Sequence, residues 1–120
     1  MRTILLVEDD KLLRGLFHAT LSADYRVLAA SNGREAILIF QERCEEIDLL
    51  VTDHGLPHLS GRDLITRCRT LRPTIRCVMM SGYDEHLFSS VNSPDNFRFL
   101  AKPFNLPELR TVVSELLERS

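Results

Sequence analysis

The chain has 120 residues, enough for one sizeable core and too few for two, so a single domain over residues 1–120 is expected. At 44% hydrophobic, 27% charged and a net charge of -2, it has an ordinary soluble composition and lacks the basic field that nucleic acid or anionic membrane selects. No run of about 18 apolar residues and no leader pattern occurs, and the three cysteines, Cys44, Cys68 and Cys77, lack metal-like spacing. The expectation is therefore a cytoplasmic domain with reduced structural thiols, no membrane partner and no direct nucleic-acid partner.

Apolar, β-branched runs alternate with helix-like segments five times, the signature of repeated βα units. The first run, Thr3–Val7, ends at the acidic triplet Glu8-Asp9-Asp10. A first helix is predicted over Lys11–Ala23, with Leu13, Leu16, Phe17, Thr20 and Leu21 inward, and a second strand over Tyr25–Ala30. Ser31-Asn32-Gly33 turns the chain, and Asn32 or Ser31 can cap a helix from Arg34 to Glu45 with Ala36, Ile37, Ile39 and Phe40 inward. The third strand, Ile47–Thr52, ends at Asp53 and the loop Gly55-Leu56-Pro57. Ser60-Gly61 opens a helix that ends before Pro73. Arg62, Arg67, Arg69, Arg72 and Arg76 read as a solvated face and loop.

A fourth run, Ile75–Met80, ends at Ser81. The helix signal beyond it is short, Asp84 to Val91, and Asn92-Ser93-Pro94-Asp95-Asn96 is turn chemistry, so a short, mobile fourth helix is expected. The fifth run, Phe97–Ala101, ends at Lys102-Pro103. Asn105-Leu106-Pro107-Glu108 then forms a capping box, and the last helix carries Leu109, Val112, Val113, Leu116 and Leu117 inward.

Short, continuously apolar strands are buried on both faces, as in a parallel sheet under helices. In such sheets ligands bind at the carboxyl ends of the strands. Acids, a lone Asp, a hydroxyl and a Lys should therefore converge there. That set suits a hard divalent cation and a phosphoryl group, with Asp53 as acceptor. Two carboxylates about 4 Å apart repel by about 4 kcal/mol at an effective dielectric of 20, an expensive arrangement for structure alone.

Ile4-Leu-Leu-Val-Glu-Asp-Asp10, Asp53-His-Gly-Leu-Pro57 with Gly61, Met80-Ser-Gly-Tyr83 and Phe99-Leu-Ala-Lys-Pro-Phe104 together resemble the receiver domain of two-component response regulators, over essentially the whole chain. The resemblance implies an α/β, doubly wound, five-stranded parallel sheet in order 2-1-3-4-5, a flavodoxin-like receiver fold. It implies Asp53 as phosphoacceptor, with Asp9, Asp53 and the Gly55 backbone carbonyl as ligands to Mg²⁺ (Mn²⁺ as an alternative) and Glu8 acting through water. Ser81 and Phe99 are the implied switch pair, Lys102 the phosphoryl-binding lysine, and Lys102-Pro103 a cis peptide. Gly55 and Tyr83 are expected to tune hydrolysis, giving slow to moderate self-dephosphorylation.

Four departures stand out: Glu8 for the commoner Asp, Ser81 for Thr, Gly55 without a side chain, and a fourth helix interrupted by Pro94. The wording around Ser81 and Lys102 looks more like receivers attached to hybrid histidine kinases than those preceding DNA-binding domains. The implied partners are a histidine kinase or phosphotransfer protein docking on the first helix. An output partner would meet the face of the fourth helix, fifth strand and fifth helix, with Tyr83, Phe88, Val91 and Phe104 exposed. Monomer and phosphorylation-dependent dimer both stay open. The expected chemistry is no more than autocatalytic phosphorylation and dephosphorylation. Its rivals are a pseudo-receiver that never accepts phosphate and an aspartyl-phosphate phosphatase of the haloacid dehalogenase type. The latter fits poorly, because its nucleophile follows the first strand and residue 55 here is Gly.

Overall fold

In the computed structural model, which describes residues 1–82 and 96–118, five strands form one sheet, the inner three buried almost throughout and the two edge strands only in part. They are β1 (Thr3–Val7), β2 (Arg26–Ala30), β3 (Leu49–Asp53), β4 (Arg76–Ser81) and β5 (Phe97–Ala101), all parallel, in the order β2-β1-β3-β4-β5. The expected five-stranded sheet is thus present in the expected order. Among the described residues the helices are α1 (Lys11–Ser22), α2 (Gly33–Arg43), α3 (Gly61–Leu71) and α4 (Leu106–Leu117), the last following β5. The expected short helix over Asp84–Val91 lies outside the described residues.

Alternation along each strand divides the core in two. Leu5, Val7, Leu50, Cys77 and Met79 face α2 and α3, where Ala36, Phe40, Leu64, Ile65 and Cys68 meet them. Ile4, Leu6, Leu49, Val51, Val78 and Met80 face α1 and α4, meeting Phe17, Leu21, Leu109, Val113 and Leu116. Cover on both faces is why β1, β3 and β4 read as nearly unbroken apolar runs. Burial pushes the Cys68 and Cys77 thiols up to about 12, which leaves them protonated and unreactive.

Each helix starts at a side-chain cap that accepts an otherwise orphaned backbone N–H. Asp10 Oδ1 accepts from Leu13 N at 3.0 Å, Asn32 Oδ1 from Glu35 N at 2.8 Å, and Ser60 Oγ from Asp63 N at 3.1 Å. Asn32 rather than Ser31 is therefore the α2 cap. The capping box on α4 is complete, with Asn105 and Glu108 bonded reciprocally at 2.8 and 3.2 Å. Element ends shift by one or two residues where turn bonds intervene. The Tyr25 N–H donates to Leu21 O at 3.0 Å and the Ile47 N–H to Arg43 O at 3.2 Å, so neither residue joins its strand.

Three expectations need correction. Leu16 does not face the core: it is 44% exposed, because Leu13, Phe17 and Leu21 already fill the inward stripe of α1. Phe104 is not a free surface ring, since it packs on Phe17 with centroids 5.5 Å apart. The arginines are not one solvated group either. Arg62 and Arg67 are exposed. Arg69 donates to Asn96 O at 3.1 Å and Arg76 to Leu116 O at 2.7 Å. Arg72 Nη1 donates to Cys44 O at 2.7 Å and also to Ile47 O, stapling the end of α2 to the turn before β3.

A charged donor shared by two backbone carbonyls stabilises more than a neutral pair. Arg72→Met should lower unfolding stability by about 2 kcal/mol, read as a shift of the urea midpoint with an unchanged slope.

Candidate functional site

The carboxyl ends of β1, β3, β4 and β5 present Glu8-Asp9, Asp53, Ser81 and Lys102 along one edge. Register explains the convergence: β1 pairs with β3 through Val7 and Thr52, Asp53 stands opposite Met80, and Ser81 opposite Ala101. The ladder continues past the strand ends, where Lys102 N donates to Ser81 O at 2.8 Å and His54 N to Met80 O at 2.9 Å. The Lys102-Pro103 peptide is cis.

Carboxylate oxygens of Glu8, Asp9 and Asp53 lie within 4.8 Å of one another. Glu8 is 1% exposed and Asp53 7%, whereas Asp9 faces solvent. Lys102 Nζ stands 3.1 Å from Asp53 Oδ1 and 3.9 Å from Glu8 Oε1. Among the described residues no donor forms a hydrogen bond with Glu8 Oε1, and Glu8 Oε2 accepts from Asp10 N at 3.1 Å. Burial pushes the Glu8 carboxyl up from 4.5 to about 7. The Asp53 charge and a proton-requiring bond to Asp9 act in the same direction, against the Asp10 N–H and Lys102. Asp10 stands apart from this group as the α1 cap.

A divalent cation fits these residues. The donors are hard oxygens, one buried oxygen lacks a hydrogen bond, and the net charge of three acids against one lysine is negative. Ser81 is 2% exposed at the end of β4, beside the Lys102 backbone. Phe99 lies half-buried on β5, packed on the α2–α3 side of the core. Gly55 lies exposed in the loop after Asp53, where an added Cβ would meet nothing within 4 Å. Tyr83 lies outside the described residues.

Gly61, expected at a helix start and matched by the receiver resemblance, has a further role in the fold. A Cβ there would lie 2.4 Å from Asp53 O and 2.9 Å from His54 Cα, so the helix start closes on the Asp53 backbone only without a side chain. The Gly61 N–H donates to His54 O at 2.9 Å, fastening that approach. His58 has φ 67°, unusual for a residue with a Cβ, in the same loop. No local sequence signal marks it.

The family model described as the response regulator receiver domain matches residues 4–114. The chain belongs to that family. The receiver is 39% identical over 119 residues to the sensor kinase CckA of Brucella abortus (strain 2308), an alignment that covers 98% of this chain and 13% of that protein. It is 32% identical over 119 residues to the response regulator receiver protein CpdR of the same strain, covering 98% of each chain. The solved receiver domain of the hybrid histidine kinase CckA matches it with a TM-score of 0.79 at 32% identity, over 95% of this chain and 98% of that one. The receiver therefore spans a small part of one relative and nearly all of another. Receiver domains generally bind Mg²⁺ and interact with histidine kinases or phosphotransfer proteins. Among the described residues no helix is long and apolar enough to cross a membrane.

The position of Glu8 has a pH consequence. Its folded-state value lies above 4.5, so the protonated form stabilises the fold fully below about pH 4.5, and that contribution is lost as pH rises through about 7. In metal-free buffer Glu8→Gln should match the wild type near pH 5 and melt at a higher temperature at pH 8. Parallel melting profiles for the two proteins across that range would contradict the assignment.

Proposed function

We propose that the chain is a phosphorelay receiver domain that accepts a phosphoryl group on Asp53 with Mg²⁺ present and switches an interaction face. One observation carries this reading: the Asp53 carboxylate sits 3.1 Å from Lys102 Nζ, within 4.8 Å of two further acids, at the carboxyl edge of the sheet. Glu8, Asp9, Asp53 and the Gly55 carbonyl are the residues that would hold the cation, Glu8 through water. When bound, Mg²⁺ supplies charge neutralisation for the phosphoryl oxygens.

An Asp53 carboxylate oxygen attacks the phosphorus of a phosphohistidine. The new O–P bond forms as the N–P bond breaks, and the imidazole leaves. Lys102 holds one phosphoryl oxygen as a point charge, and Ser81 donates its hydroxyl to another. The reorganisation of Ser81 and Phe99 then biases a two-state equilibrium, and β5 and α4 belong to the face proposed for the output partner. Open space at Gly55 leaves an attacking water unoriented, which supports slow to moderate self-dephosphorylation.

The exposed side of α1 supports docking of the phosphoryl donor, a histidine kinase or phosphotransfer protein. Leu12 is 72% and Leu16 44% exposed, and with exposed Gly15 and Ala19 they recur at helical spacing on one stripe. That stripe begins directly after Asp9 and Asp10. The share of the CckA kinase that this chain matches and the full match to CpdR support both an attached and a stand-alone receiver.

Incubation with acetyl phosphate and Mg²⁺, followed by intact-mass measurement, tests the reading. A labile phosphoryl adduct should form on the wild type, need Mg²⁺, and be absent from Asp53→Ala. Absence of the adduct from the wild type would make the chain a pseudo-receiver, and steady release of inorganic phosphate without adduct a phosphatase.

A further inference from the structure

We propose that Arg14 is a positioning residue that holds the Glu8-Asp9 bend in cation-binding shape from within α1. The inference rests on the cation-binding reading above. Arg14 Nη1 donates to the Glu8 backbone carbonyl at 2.9 Å, six residues back along the chain. Glu8 is otherwise held by its own N–H, which donates to Ala30 O at 3.1 Å, and by the Asp10 N–H on its carboxylate at 3.1 Å. Together with the Arg14 bond they hold the peptide units on both sides of the Glu8 Cα and the side chain it carries. The Glu8 backbone oxygen thus has a long cationic side chain as its partner.

The bond closes a ring between loop and helix. The Arg14 N–H donates to Asp10 O at 2.8 Å while the Asp10 side chain caps Leu13. The backbone that carries Asp9 therefore runs between two points anchored on the first turn of α1. Asp9 faces solvent, and its side chain is tied only to the neighbouring Glu8 carboxyl. Its aim at the cluster depends on the peptide units that Arg14 and Asp10 hold.

Geometry and charge make opposite predictions for this residue. A guanidinium near an acid cluster repels an incoming cation, so its loss would tighten Mg²⁺ binding if charge were its only effect. If it positions the bend, its loss weakens binding, as removal of outer partners of metal ligands generally does.

The test is calorimetric titration of MgCl₂ into the metal-free wild type, Arg14→Met, Arg14→Lys and Asp9→Asn, with backbone amide shifts of Asp9 and Asp10 recorded before metal is added. Arg14→Met should bind Mg²⁺ about tenfold more weakly and move both amides. Arg14→Lys, which restores a donor, should recover most of that affinity. Should Arg14→Met fail to fold, Arg14→Gln takes its place with the same expected direction. Equal or tighter Mg²⁺ binding by the neutral variant overturns the positioning role. Failure of the cation-binding reading looks different: the wild type itself then shows no Mg²⁺ binding, and Asp9→Asn titrates identically to it.

Discussion

Glu8 and Asp53 come to the same dry edge of the sheet because β1 and β3 are neighbours in register, and that crowding governs the rest of the site. Two full charges about 4 Å apart repel by about 4 kcal/mol at an effective dielectric of 20, against a typical stability of about 5–15 kcal/mol, and solvent at exposed Asp9 screens its share. The chain relieves this in two ways visible in the structure. Lys102 reaches both Asp53 and Glu8, and the buried Glu8 carboxyl is shifted up to about 7, close to neutral solution. Neither relief is complete, since among the described residues no donor forms a hydrogen bond with Glu8 Oε1. An edge held in that condition is poised for a cation, and the proposed function follows from it.

The surrounding structure serves that poise. Continuous apolar strands let helices cover both faces, so the acids lie over a rigid floor of Leu, Val and Met side chains rather than on loops alone. Gly61 allows α3 to start against the Asp53 backbone, and the Asp10 cap and Arg14 tie the acid bend to α1. The helix proposed to meet the phosphoryl donor therefore also anchors the residues that would hold the metal.

Much of this was legible in the sequence because the responsible interactions are local or periodic. Unbroken apolar runs of strand length signal two-sided burial, and Asp10, Asn32, Ser60 and Asn105 announce helix starts through bonds only three residues long. What stayed hidden depends on distant partners. The backbone carbonyls that accept from Arg72 lie 28 and 25 residues earlier, so the residue reads as a solvated charge until the fold brings them together. Phe104 looks like a surface ring because nothing near it in sequence predicts Phe17 as its neighbour. Leu16 fits a helical stripe on paper, yet three inward residues of α1 already fill the available width. Spacing marked Gly61, but the reason for it, a backbone approach across the loop, is three-dimensional.

On the proposed function, the acid edge destabilises the fold in the absence of a cation and stabilises it on binding one. Urea denaturation of the wild type and the Glu8→Gln/Asp9→Asn double variant at pH 8, each with chelator and with saturating Mg²⁺, tests it most directly. The double variant should be the more stable protein in chelator and the less stable one in Mg²⁺. The same stability order under both conditions would contradict the account.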